Sequence, residues 1–199
     1  MGYHNAGFEV VGIDIKTQPK YPFEFHQGDA VGYAKQHWQE FDAIHASPPC
    51  QAHTSASKQW REEGKVYDCY IEETRAFLQK TGLPYVIENV PNSPLVDPII
   101  LCGSMFGLKT YRHRLFESNC TLYAPNHPEH VHPQAKMGRV PKEGEFIQVV
   151  GHFSGVPFAQ KAMGIPWLGQ KELAQAIPPA YTEFIGWQIR AAMMIKMAA

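Results

Sequence analysis

The first 90 residues alternate strand and helix signals, and that alternation constrains the fold more than any other feature. FEVVGIDI (8–15), EFHQGDA (24–30), FDAIHAS (41–47) and PYVIENV (84–90) read as four strands. Between the last two, Tyr67, Tyr70, Ile71, Phe77 and Leu78 mark one face of a helix that stops before Gly82. Strands alternating with helices predict a parallel α/β sheet covered on both faces. Ligands of such sheets lie beyond the carboxyl ends of the strands. Asp14, Asp29, Ser47–Gln51 and Glu88–Val90 all fall at those ends, so four strand tips point polar groups at one crevice.

The character changes after residue 118. Segment 119–157 is rich in Pro, His and Gly, with one strand-like run, FIQVV (146–150), and reads as a small lobe. Order returns at AQKAMGI and ELAQAIPPAYTEFIGWQI, where a Pro pair opens a helix with Tyr181, Phe184, Ile185 and Ile189 on one face. The chain therefore divides into a core (1–118), a lobe (119–157) and a segment that returns to the core (158–199).

At 44% hydrophobic and 19% charged, the 199 residues suit an ordinary globular protein. No apolar run approaches a membrane span, and MGYHNAGFEVVGIDI lacks the zones of a secretory signal. A cytoplasmic monomer with no membrane partner is expected. The net charge of −1 is unevenly spread: residues 109–142 carry six Lys/Arg against two acids, a net of +4. That pattern fits a nucleic-acid surface and a solvated loop equally.

Three short strings carry chemistry. In SPPCQ (47–51), two prolines restrict the backbone before Cys50, as a rigidly held nucleophile requires; a buried structural cysteine fits the same string. In IENV (87–90), Glu88 is a strand-end carboxylate suited to general acid work if its site raises its pKa, or to an ion pair. In TYRHRLF (110–116), a strand would point Arg112 and Arg114 to one face, for a phosphate or a base carbonyl; a solvated edge strand is the alternative.

Taken in order, SPPCQ, ENV, an RxR strand, a basic Pro/His-rich insertion and a closing helix resemble the DNA cytosine-C5 methyltransferase family, over residues 2 to about 190. The resemblance implies a Rossmann-like, S-adenosylmethionine-dependent methyltransferase α/β fold with a small target-recognition lobe, acting on double-stranded DNA. It implies that Cys50 adds to C6 of a flipped cytosine, that Glu88 serves N3, that Arg114 holds O2 and that Arg112 supports the loop. Thr110 stands where the family usually has Gln. Asp14, Ile15, Asp29, Ala30 and Pro48 match donor-binding positions, with Asp14 toward the ribose and Asp29 toward the adenine amine. Gln51 and Ser55, in the loop that closes over DNA, together with Asn89, Lys136 and Arg139, match DNA-contacting positions. AIPPAYTEFIG resembles the C-terminal motif that packs against the donor site.

The family opens with a strand and a Phe-x-Gly-x-Gly turn that approaches the donor. No such turn is present here, and Gly2 is its one possible remnant. The resemblance thus implies an N-terminally truncated fold whose missing strand lies between those ending at Asp14 and Ser47. Two edges roughly 10 Å apart would be left. Either they close up and pair, or something external fills the gap, or the chain is a fragment. A mis-assigned start, a split gene and a donor-deficient short form each account for it. The alternatives to a DNA methyltransferase are a donor-deficient DNA-binding pseudoenzyme and an RNA cytosine methyltransferase.

The remaining signals are weaker. Cys120, His127, His130 and His132 have the spacing C-x6-H-x2-H-x-H, which is not a standard zinc pattern, and prolines 125, 128 and 133 interrupt it. No metal is assigned. Trp167 and Trp187 read as core residues, His4, His26 and His45 as polar or packing residues, and Trp60 as either solvated or DNA-facing.

Overall fold

The computed structural model describes residues 1–198, and it is a mixed α/β fold. The strands are β1 (Val11–Asp14), β2 (Glu24–Gln27), β3 (Ile44–Ala46), β4 (Tyr85–Asn89), β5 (Ile99–Leu101) and β6 (Arg114–Ser118). The main helices are α1 (Gly2–Asn5), α2 (Ala30–His37), α3 (Lys58–Glu62), α4 (Ile71–Thr81), α5 (Val156–Met163), α6 (Gln170–Gln175) and α7 (Pro179–Ala198). All four expected strands form. The expected helix forms over Ile71–Thr81 and ends where Gly82 takes a left-handed conformation at φ 69°. Residues 65–70 stay outside it.

The sheet differs from the all-parallel expectation. β1 pairs with β2, and β3 with β4, in parallel, whereas β6 runs antiparallel to both β4 and β5. The order β3-β4-β6-β5 puts β4 inside the larger sheet, and all five of its residues are buried. β1 and β2 form a sheet of their own, so β1 and β3 do not close up and pair. From α1, the Tyr3 ring instead meets His45 of β3, its hydroxyl 2.7 Å from Nδ1.

Two apolar clusters organise the rest. Val86, Leu101 and Phe116 of the larger sheet pack on Tyr181, Ile185 and Ile189 of α7, the face expected from the helical spacing. Ile147, Val149 and Phe153 pack instead with Ala159, Met163 and Leu173 of α5 and α6. FIQVV is not a strand: Phe146 makes a single bridge to Gln134, because no neighbouring strand offers a ladder. Trp167 and Trp187 are exposed rather than core, the second at 56%. Among the described residues, no helix is long and apolar enough to cross a membrane.

Candidate active site

The Pro-Pro-Cys turn is fixed from both sides. Asn89, at the end of β4, donates from Nδ2 to the Pro48 carbonyl at 2.9 Å, while its Oδ1 accepts the Val90 amide. The amides of His53 and Thr54 both donate to the Cys50 carbonyl at 2.9 Å. Adjacent parallel strands thus place the ends of SPPC and IEN side by side, with Asn89 as the tie. At 1% exposure Asn89 is a positioning group, and the DNA contact expected of it is not available.

Cys50, Glu88, Arg112 and Arg114 converge. Burial pushes the Cys50 thiol up; Arg114 opposes this, Glu88 adds to it, and Arg112 also opposes it. Glu88 is buried and ion-paired to Arg114, Oε1 to Nε at 3.0 Å. Burial raises its pKa, against the pull of Arg114, a hydrogen bond from Ser47 and Arg112. A carboxyl in that environment keeps its proton to higher pH than a solvated one, as a general acid requires.

The two arginines do not share a strand face. β6 begins at Arg114, and Arg112 lies before it with φ 30°, a conformation costly for a side-chain-bearing residue. The Tyr181 hydroxyl donates to the Arg112 carbonyl at 3.0 Å and holds that geometry. The Arg112 guanidinium donates to the carbonyls of Ala176, Val149 and Ala174 at 2.8, 2.5 and 2.9 Å. Burial lowers its pKa to about 9. Arg112 is therefore a brace between the site and the lobe, and Arg114 alone is presented to a ligand. Thr110 is buried beneath them, and Gly103 fits against its carbonyl where a Cβ would collide.

A polar chain reaches Glu88 from the other side. Tyr3 bonds His45 Nδ1, His45 Nε2 lies 3.1 Å from Ser47 Oγ, and Ser47 bonds Glu88. Burial lowers the His45 pKa to about 4, so the ring is neutral near pH 7. Protonating it opposes folding. The unfolded chain takes up the proton near pH 6.5 and the folded one only near 4, so stability is full above 6.5 and falls as pH drops toward 4. Lowering pH from 7.5 to 4.5 should cost roughly 2 kcal/mol through this group. Urea unfolding of wild type and His45→Gln at both pH values checks this; an equal pH loss in both proteins would refute it.

The loop after Cys50 is held by Arg61. Its guanidinium donates to the carbonyls of Gln51 and Thr54, both at 2.8 Å, and to Ser57 Oγ at 2.5 Å. Gln51, Ser55 and Trp60 keep exposed side chains on this loop. Lys136 is exposed, and Arg139 forms a bidentate pair with Glu145 at 2.6 and 2.5 Å. Tyr3, His45, Arg61 and Tyr181 are supporting residues that motif reading missed. Ser47 and Tyr181 lay within motifs, but neither was assigned this role.

At the neighbouring tip, Asp14 accepts from the Lys16 amide at 2.8 Å and from Gln18 at 3.0 Å. Asp29 caps α2, accepting from the amides of Val31 and Gly32. Ile15 is 71% exposed beside Asp14, and Ala30 is exposed beside Asp29. Elsewhere, a pocket of about 500 Å³ lined by Leu108, Tyr111, Lys142 and Phe146 does not include Cys50, Glu88 or Arg114.

No protein-family model and no curated protein matches this chain.

Proposed function

We propose that the protein transfers a methyl group from S-adenosylmethionine to C5 of cytosine in double-stranded DNA, through a covalent Cys50–C6 intermediate. The observation that carries this reading is the convergence of Cys50, Glu88 and Arg114, three residues from separate sequence strings. Cytosine C5 is a poor nucleophile until an electron pair is delivered to the ring. The Cys50 thiolate forms a bond to C6, the C5=C6 pair shifts to C4=C5, and the C4=N3 pair moves onto N3, which takes a proton from Glu88. Arg114 holds O2 and spreads the charge of the adduct. After methylation the C5 proton passes to water, its bonding pair re-forms C5=C6, and Cys50 leaves C6 as thiolate. The base must leave the helix stack for attack above its plane.

S-adenosylmethionine supplies the methyl group when bound; Asp14, Ile15, Asp29, Ala30 and Pro48 are the residues that would hold it. The thiol must ionise against its burial, and the positive charges of Arg114 and Arg112 favour that step.

The break between β1 and β3 favours a second reading, a donor-deficient protein that binds DNA without methylating it. Labelled methyl transfer to duplex DNA, with structured RNA in parallel, tests the first reading. Label at C5 of cytosine in the duplex is expected; label confined to RNA would transfer the reading to an RNA methyltransferase. Duplex binding with neither labelling nor donor binding by calorimetry would establish the second reading. Glu88→Gln should lower turnover by about 100-fold or more with DNA affinity nearly unchanged. Equal loss of both would make Glu88 structural.

A further inference from the structure

Four metal-ligating side chains meet at the junction of the larger sheet and the lobe, outside the Cys50 site. Leu101 of β5 pairs with Arg114 of β6, and this antiparallel register sets Cys102 opposite His113. The segment after β6 then returns past this point and delivers His127 and His130. The Cys102 Sγ and one ring nitrogen from each histidine all lie within 4.8 Å of one another. Cys102 Sγ is 3.4 Å from His130 Nε2, and His113 Nε2 is 3.0 Å from His127 Nε2.

We propose that Cys102, His113, His127 and His130 bind a zinc ion in a closed, tetrahedral structural site. Zinc takes thiolate at about 2.3 Å and imidazole at about 2.0–2.1 Å, so a tetrahedron has N···N edges of about 3.3 Å and S···N edges of about 3.6 Å. The two close contacts, 3.0 and 3.4 Å, lie near those edges. One sulfur with three imidazoles is a donor set that selects zinc over magnesium or calcium.

The surroundings orient the ligands. His127 Nδ1 lies 2.9 Å from the Pro128 carbonyl, which can only accept, so Nδ1 carries the proton and Nε2 presents its lone pair to the cluster. The His130 ring stacks on Tyr111 with centroids 3.6 Å apart. Cys102 is fully buried, whereas His127 and His130 are exposed, which leaves a path for the ion. The set is not the one the sequence spacing suggested. Cys120 packs with the α7 cluster, and His132 stacks on Phe146 and bonds the Gly144 carbonyl.

The site would fasten the start of the lobe to the sheet through His113, which lies between Arg112 and Arg114. It does not depend on the methyltransferase reading. Elemental analysis of the purified protein should find about one zinc per chain. His127→Ala, at an exposed position, should lose the metal while keeping its circular dichroism spectrum. Cobalt(II), added to chelator-treated protein, should give the d–d bands of a tetrahedral ion and a sulfur-to-metal charge-transfer band that Cys102→Ser removes. Folded wild-type protein that takes up neither zinc nor cobalt stoichiometrically would overturn the proposal. So would binding that survives both substitutions.

Discussion

Replacing Cys50 by Ser should lower methyl transfer by about 10⁴-fold or more while leaving the fold and DNA binding intact. The substitution is nearly isosteric at a half-buried position, and the hydrogen bonds that fix the turn use backbone carbonyls and the Asn89 side chain rather than the thiol. What is lost is the nucleophile. A serine hydroxyl ionises far less readily than a thiol, and no described imidazole is bonded to this position to act as its base. Single-turnover methylation of duplex DNA measures the effect. A Cys50→Ser protein within tenfold of wild type would remove Cys50 from the chemistry.

The largest stability effect is expected at Arg112. Arg112→Met should destabilise the fold by about 3–5 kcal/mol, since it strips the donors from three carbonyls inside a junction of the core and lobe. Arg112→Lys should rescue little, because one ammonium cannot reproduce a planar fork aimed at three acceptors. Urea unfolding measures both. A loss below about 1 kcal/mol in the Met variant would mean that solvent replaces the guanidinium without cost.

The two substitutions separate residues that the motif presents as equivalents. Reading TYRHRLF as a strand gives Arg112 and Arg114 one face and one role. The partners that pull Arg112 off that face are Val149, Ala174 and Ala176, from 37 to 64 residues away in sequence. No local pattern carries that information. The strands at 44–46 and 85–89 and helices α4 and α7 were legible because periodicity and terminal Gly or Pro signals are local. FIQVV had the same local signal but lacks a partner strand, and a strand is a property of pairs.

The metal-ligating cluster failed to show for a related reason. Counting residues between Cys and His groups Cys120 with the three histidines that follow it. The β5–β6 register instead puts Cys102 beside His113 and leaves Cys120 on the opposite side of its turn, against α7. The candidate active site was more legible: Cys50, Glu88 and Arg114 each sit within a short string, and the tips carrying Cys50 and Glu88 were expected to share one crevice. Its supports were not, since Tyr3 and Tyr181 reach it from the two ends of the chain.

The central claim is that Cys50 bonds to cytosine. Its most direct test is incubation of the protein with S-adenosylmethionine and duplex DNA carrying 5-fluorocytosine, where fluorine at C5 blocks the proton loss that releases the enzyme. The account predicts a DNA–protein adduct that survives denaturation, maps to Cys50 by peptide mass analysis and is absent from Cys50→Ser. Bound DNA with no adduct, or an adduct at another residue, would contradict it.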